Sequence, residues 1–93
     1  MKVKRKAVIC NRLGMHTRAA SMFAMASSRF ESKIGIRKGK VKADGKSIMD
    51  VMMLAAAKGD TVTISAEGGD AKEALETLCK LVEARFNEGR KAP

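Results

Sequence analysis

One histidine is the residue of this chain best suited to covalent chemistry. His16 is the only histidine, and Thr17 and Arg18 follow it at the predicted start of a helix. Free backbone amides and the positive end of the helix dipole attract anions there, and the Arg18 guanidinium can add hydrogen bonds. A neutral imidazole keeps one ring nitrogen free as a nucleophile. His16 can therefore carry a phosphoryl group, and the alternative is that it only caps the helix.

A serine with a modifiable hydroxyl precedes a second predicted helix. Ser47 has Asp50 three residues later, and apolar residues follow at helical spacing. Serine is a preferred N-cap because its oxygen accepts a hydrogen bond from an amide of the first turn. A phosphate on Ser47 would also be stabilised by the helix dipole. Both a structural cap and a regulatory phosphorylation site fit this serine.

Most of the methionines lie on these two helices or in the loop before the first. Helical spacing places Ile48, Val51 and Met52 toward the core and the remaining helical methionines on the flanks or outside. Flexible thioethers on a surface suit the docking of several partners, whereas buried ones fill gaps in a core. The candidate docking residues are Met15, Met22, Met25, Ile48, Met49, Met52 and Met53.

The elements that must position these residues follow from the spacing of apolar side chains. The predicted strands cover residues 2–10, 31–38, 40–43 and 60–67. The predicted helices run from His16 to Arg29, from the cap Ser47 to Lys58-Gly59, and from the cap Asp70 through Phe86. In the last helix, Asp70 and Glu73 form a capping-box pattern. The resulting element order is βαββαβα.

The strands predict one half-buried sheet. Val62, Ile64 and Ala66 alternate with polar residues, and Val41 and Ala43 are expected to point inward. Such strands indicate a four-stranded antiparallel sheet with one wet face, and helices on the other face give a two-layer α+β fold. With 93 residues the chain has room for one core, so we expect residues 1–93 to form a single domain with a frayed tail at 89–93.

The charge balance leaves a second class of function open. Nineteen Lys and Arg against ten Asp and Glu give a net charge of +9, which favours an acidic partner such as nucleic acid. Three Phe without Trp or Tyr offer few platforms for stacked bases. A basic nucleic-acid-binding domain is therefore the rival interpretation. Its candidate contacts are Lys2, Lys4, Arg5, Lys6, Lys33, Arg37, Lys38, Lys40, Lys42 and Lys46.

The remaining composition argues against metals, cofactors and membrane insertion. Cys10 and Cys79 lack metal-ligand spacing, and one histidine adds too few ligands for a structural zinc site. No apolar run approaches the length of a membrane-spanning helix, and the basic start of the chain lacks the apolar centre of a signal peptide. We expect a cytoplasmic protein without cofactor or metal, with both cysteines reduced.

Two motifs together resemble the histidine-containing phosphocarrier family, HPr and NPr, of the phosphoenolpyruvate-dependent phosphotransferase system. The first resembles the family's active-site signature and reads Asn11-Arg12-Leu13-Gly14-Met15-His16-Thr17-Arg18-Ala19-Ala20. The second resembles its regulatory-serine segment and reads Asp44-Gly45-Lys46-Ser47-Ile48-Met49-Asp50-Val51-Met52-Met53. The resemblance extends over nearly the whole chain, and the element order agrees with it.

The resemblance implies a fold, a relay and a regulatory site. The fold would be the HPr-like open-faced β-sandwich, with three helices on one face of the sheet. His16 would accept a phosphoryl group on Nδ1 from enzyme I and pass it to an enzyme IIA component, in sugar uptake or the nitrogen-related branch. Arg18 and the backbone amide of Thr17 would stabilise that group. Ser47 would be the target of an HPr kinase/phosphorylase, and we expect a monomer.

One departure from the family pattern lies directly beside the motif. Many members of the family have proline after the arginine, whereas this chain has Ala19. Proline fixes the backbone of a first helical turn, while alanine is an excellent helix former, so we expect weaker preorganisation with the function retained. A family member that only binds partners, without transferring phosphate, is a further alternative.

Overall fold

The computed structural model describes residues 1–89 as one sheet and three helices. The strands are β1 (Lys2–Val8), β2 (Lys33–Lys38), β3 (Val41–Asp44) and β4 (Thr61–Glu67). The helices are α1 (Thr17–Ser28), α2 (Ile48–Met53) and α3 (Ala71–Glu83), and a 3-10 turn covers Arg85–Asn87. The predicted order βαββαβα is confirmed. Residues 90–93, in the predicted frayed tail, lie outside the described residues.

The sheet is antiparallel throughout, with β4 in its interior. The strand order is β1-β4-β2-β3, and Glu67 pairs with both Lys2 and Lys33. The alternating residues of β4 predicted to face inward are buried, so one face packs and the other meets solvent. The inward position predicted for Val41 is wrong, because its side chain is 51% exposed on β3 at the edge of the sheet.

The helices supply the other half of the core. One face of α1 is buried and comprises Ala19, Ala20, Phe23, Ala24 and Ser27. The second large set of buried helical residues belongs to α3 and comprises Ala71, Ala74, Leu75, Leu78, Cys79 and Val82. Fully burying a Phe or Leu side chain contributes about 1.5–3 kcal/mol, so these contacts hold the helices on the sheet.

The second helix is shorter than predicted. It ends at Met53, because Ala55 adopts a left-handed backbone with φ of 50°. The next residue, Ala56, then offers its carbonyl to the amide of Met15 at 2.8 Å. The prediction that the helix continues to Lys58 is therefore wrong, and the early end joins this segment to the loop before α1.

The beginning and end of α3 also differ from the prediction. The carboxylate of Asp70 makes no cap hydrogen bond and accepts instead from the amides of Glu31 and Ser32, at 2.9 and 3.0 Å, and from the Ser32 hydroxyl. The predicted capping box is wrong because the unpaired amides before β2 compete for this carboxylate. At the other end, α3 stops at Glu83, so Phe86 does not lie on the helix.

Candidate functional site

His16 lies immediately before α1, as the N-cap residue of the helix. Its backbone is extended, and its Nδ1 accepts a hydrogen bond of 3.3 Å from the amide of Arg18. A ring nitrogen that accepts a hydrogen bond carries its lone pair, so the proton of the neutral ring resides on Nε2. Nδ1 therefore lies among the first amides of a helix, where an attached anion is stabilised. The side chain is 27% exposed and remains reachable.

A tight loop fixes the approach to His16. Asn11 is fully buried, its amide nitrogen donates to the carbonyl of Gly14 at 2.7 Å, and the Gly14 amide donates to the Asn11 carbonyl. Gly14 has a φ of 65°, and a Cβ at this residue would lie 2.7 Å from the carbonyl oxygen of Ala56. Glycine is therefore required for this close approach. The loop and the end of α2 together set the position of His16.

Arg18 is the second residue of α1, and its side chain extends to the turn Arg85–Asn87. Its Nη1 donates to the carbonyl of Phe86 at 2.9 Å and contacts the Met22 sulfur at 3.0 Å. Thr17 is the first residue of α1 and is exposed. Ala19, the residue in place of the usual proline, is fully buried, and the helix begins before it. Alanine therefore maintains the helix start without proline.

Glu88 belongs to the site although the sequence pattern gave no indication of it. Its Oε2 accepts from the Asn11 side-chain amide at 3.0 Å and lies 3.8 Å from Nε2 of His16. The amide of Leu13 donates to both carboxylate oxygens, at 3.3 and 3.2 Å. The Asn11 amide and the backbone amide of Leu13 hold the pKa of Glu88 below its ordinary value. Periodicity cannot relate residues so far apart in the chain, so no sequence signal could have found Glu88.

Ser47 is the N-cap of α2, as predicted. Its hydroxyl oxygen accepts a hydrogen bond of 3.2 Å from the amide of Asp50, and the residue is half-buried. The carboxylate of Asp50 in turn accepts from the amide of Asp44, at 3.3 Å. The cap therefore explains this serine structurally, and its phosphorylation stays a prediction.

The predicted docking residues separate into exposed and buried ones. Met15 is only 5% exposed, so its place on a docking surface is wrong, and Met22 is half-buried beside Arg18. The prediction that Ile48 and Met52 face the core is also wrong, because α2 buries only Val51. The methionine surface is defined as the exposed set, which comprises Met25, Ile48, Met49, Met52 and Met53.

The methionine surface extends over two helices. Met25 on α1 and Ile48 on α2 line one shallow groove. Met49 and Met53 are 73% and 75% exposed, so they contribute little to the core. Apolar side chains that are exposed in a continuous group are typical of a surface that binds a partner.

The basic residues occupy a different surface, the outer face of the sheet. The strand register places every second side chain of each strand on this outer face. The basic residues among them are Lys2, Lys4, Lys6, Lys33, Arg37 and Lys42. Lys38 instead contacts the carbonyl of Ala55 and the carboxylate of Asp60. Phe23 and Phe86 are buried and Phe30 packs against the core, so no aromatic side chain serves this face as a stacking platform.

The described residues contain no cluster of His, Cys, Asp and Glu able to hold a metal ion. Cys10 and Cys79 are both free, and burial raises the pKa of the Cys79 thiol. Within residues 1–89, each helix is too short or too polar to cross a bilayer.

Comparisons with known proteins agree with the geometry. The sequence model of the family described as "PTS HPr component phosphorylation site" matches residues 3–84. The chain is 41% identical to the phosphocarrier protein NPr of Shewanella violacea over 87 residues, which cover 94% of this chain and 96% of that protein.

Solved structures of similar proteins share the fold. A crystal structure of HPr from Thermoanaerobacter tengcongensis superposes with a TM-score of 0.89 at 38% identity, and the match covers 92% of this chain and 97% of the other. A structure described as an HPr dimer from the same organism superposes with a TM-score of 0.75 at 41% identity, over 86% of this chain and 92% of the other. The HPr-like α+β fold is thereby confirmed.

The family match, the relatives of about 40% identity and the shared fold lead to one conclusion about identity and role. Proteins of this family carry a phosphoryl group between phosphotransferase components and are not catalysts themselves. The chain belongs to the HPr/NPr family and is a phosphocarrier protein of the phosphotransferase system.

Proposed function

We propose that His16 is the phosphoryl acceptor of this carrier, with Nδ1 as the reacting atom. Phosphorylated enzyme I is the donor in this proposal, and an enzyme IIA component is the acceptor. The observation that carries the proposal is the hydrogen bond of 3.3 Å from the Arg18 amide to Nδ1, which leaves the lone pair of the ring on that nitrogen.

The transfer follows from the surroundings of Nδ1. Its lone pair attacks phosphorus, a new N–P bond forms, and the electron pair of the breaking bond stays with the donor atom of enzyme I. The amide of Thr17, together with the amide of Arg18 once Nδ1 has bonded to phosphorus, then donates to the phosphoryl oxygens at the start of α1. The guanidinium of Arg18 exchanges the carbonyl of Phe86 for the new anion, because the phosphoryl oxygens add the attraction of opposite charges to the hydrogen bond.

The test is incubation with enzyme I and labelled phosphoenolpyruvate. We expect acid-labile label on the wild-type chain and none on His16→Ala. Ser47→Ala is the matched control, because it removes the hydroxyl of the other candidate phosphate acceptor and should leave the label on His16. Label that persists on His16→Ala, or acid-stable label lost from Ser47→Ala, would place the acceptor elsewhere.

We also propose that Ser47 is a regulatory site for an HPr kinase/phosphorylase. Its phosphate would introduce negative charge at the start of α2, directly beside the exposed Ile48 and Met49 of the methionine surface. Ser47→Asp imitates that charge and retains an N-cap oxygen, so it should slow phosphoryl uptake without loss of the helix. The rate of label uptake in Ser47→Asp and Ser47→Ala measures this effect, and equal rates would contradict it.

The partner surface we propose is the methionine surface, and the working state is a monomer. A docking face that is occupied and vacated in every transfer cycle has to remain free between encounters. The HPr dimer from Thermoanaerobacter tengcongensis shows another state for a relative, and sedimentation of this chain tests which state it adopts. The cytoplasmic location, the single-domain organisation and the choice of sugar or nitrogen-related branch stay predictions.

A further inference from the structure

The carboxylate of Glu88 connects the loop before His16 with the imidazole itself. It accepts hydrogen bonds from Asn11 and from the amide of Leu13, and its Oε2 lies 3.8 Å from Nε2 of His16. The Glu88 side chain is only 15% exposed. A charged group this well enclosed and hydrogen-bonded is held in one position.

A strained turn delivers Glu88 to that position. Three consecutive non-glycine residues, Arg85–Asn87, have left-handed backbones with φ of 58°, 52° and 56°. Such strained backbones persist only where the surrounding structure imposes them. Phe86 is fully buried, and its carbonyl accepts from Arg18, so the turn is held at both its side chain and its backbone. The strained turn therefore places the Glu88 carboxylate beside His16.

One ring nitrogen of His16 lies near this carboxylate without a hydrogen-bond partner among the described residues. This nitrogen is Nε2, and it is buried. Because Nδ1 is an acceptor, Nε2 carries the proton and points toward the Glu88 carboxylate. We propose that Glu88 is a positioning residue, which keeps the His16 proton on Nε2 and so leaves Nδ1 unprotonated for phosphoryl transfer.

The same contact acts on the phosphorylated ring. When Nδ1 forms its bond to phosphorus and the donor bond breaks, the proton stays on Nε2 and the ring gains positive charge. A carboxylate at 3.8 Å attracts that charge, and the distance can shorten to a hydrogen bond as the charge develops. In the reverse sense, the Nε2 proton makes the ring a better leaving group when phosphate passes onward. Glu88 thus supports both halves of the relay.

The inference rests on the proposed role of His16, and its first test needs no partner protein. Ring-nitrogen NMR of the unphosphorylated chain reports which nitrogen of His16 carries the proton. We expect mainly the Nε2-protonated form in the wild type and a measurable shift toward the other tautomer in Glu88→Gln. Glu76→Gln is the matched control, because it removes the same charge from an exposed position on α3.

The second test is the rate of phosphoryl uptake from enzyme I. We expect Glu88→Gln to slow uptake about tenfold relative to Glu76→Gln, by analogy with the lower range for loss of a carboxylate that orients a metal-bound histidine. An unchanged tautomer in Glu88→Gln, even with lowered thermal stability, overturns the inference, and so does a rate equal to that of Glu76→Gln. A wild-type chain that takes no label defeats the proposed acceptor instead, and the NMR result distinguishes the two failures.

Discussion

The guanidinium of Arg18 donates a hydrogen bond of 2.9 Å to the carbonyl of Phe86, which joins the start of α1 to the turn after α3. Arg18, which is proposed to stabilise a phosphoryl group, is therefore hydrogen-bonded to this turn before phosphorylation. The same turn places Glu88 near His16. The start of α1 and the turn after α3 thus meet at the site, and mutations in either segment are expected to affect transfer.

Arg18→Ala should slow phosphoryl uptake by His16. The exposed guanidinium is one of several groups around the phosphoryl oxygens, so we expect about a tenfold loss, less than for an enclosed oxyanion donor. The measurement is the initial rate of label uptake from enzyme I. Arg29→Ala is the control, since Arg29 is exposed at the far end of the same helix. Equal rates in the two variants would show that Arg18 does not act on the phosphate.

Phe86→Ala should lower the free energy of unfolding strongly. The side chain is fully buried and anchors the left-handed turn, and truncation of a buried Phe typically costs about 3–5 kcal/mol. Urea unfolding measures this loss. Phe30→Ala removes the same atoms from a half-buried position and should cost less. A similar small cost in both variants would mean that the turn is not anchored by Phe86.

The Asp70 carboxylate should make stability depend on pH in the acid range. The Ser32 hydroxyl and the amides of Glu31 and Ser32 hold the pKa of Asp70 below its ordinary value of 3.8. A pKa lowered by folding means that the folded state prefers the charged form. The stabilisation is therefore complete above the ordinary value and is lost as pH falls through the lower folded value.

Asp70→Asn tests this dependence. The variant should be less stable than the wild type near neutral pH, and the difference should shrink as the pH falls below the ordinary carboxyl range. Urea unfolding at a series of pH values gives both curves. Glu76→Gln, which changes an exposed carboxylate, should follow the wild type. A constant difference across the series would contradict the assignment of the lowered pKa to Asp70.

Met53→Asp should weaken docking of enzyme I with little change in stability. Met53 is 75% exposed on the methionine surface, and exposed substitutions usually change unfolding free energy by less than about 0.5 kcal/mol. A contact central to the interface should cost about tenfold in affinity, measured by calorimetry. Val41→Asp makes a comparable change on the sheet edge, where the side chain is 51% exposed. Equal affinities in both variants would remove Met53 from the docking surface.

Local patterns in the sequence were sufficient for most elements of the fold. The alternation of Val62, Ile64 and Ala66 predicted β4, because side chains along a strand point to opposite faces. The spacing of Leu75, Leu78 and Val82 likewise predicted α3. Ser47 and Asp50 predict the cap of α2, and a cap was one of two alternatives for His16, since capping depends on only three or four neighbouring residues.

Contacts between distant segments were decided only by the tertiary structure. Asp70 has the residue type of a helix cap, yet its carboxylate binds Glu31 and Ser32, because unpaired amides lie within reach once the sheet has formed. Met15 has the residue type of a docking contact, yet the loop buries it. In each case a partner far away in the sequence competes with the local preference.

The functional site also combines features that local sequence determines with contacts between distant segments. The sequence by itself determined that a histidine and an arginine stand at the start of a helix, because one short motif contains both. That Glu88 faces Nε2 of His16 was decided by the tertiary structure, since it depends on the left-handed turn around the buried Phe86. The turn requires both the buried Phe86 side chain and the left-handed backbone of Arg85–Asn87. Neither produces a periodic pattern in the sequence.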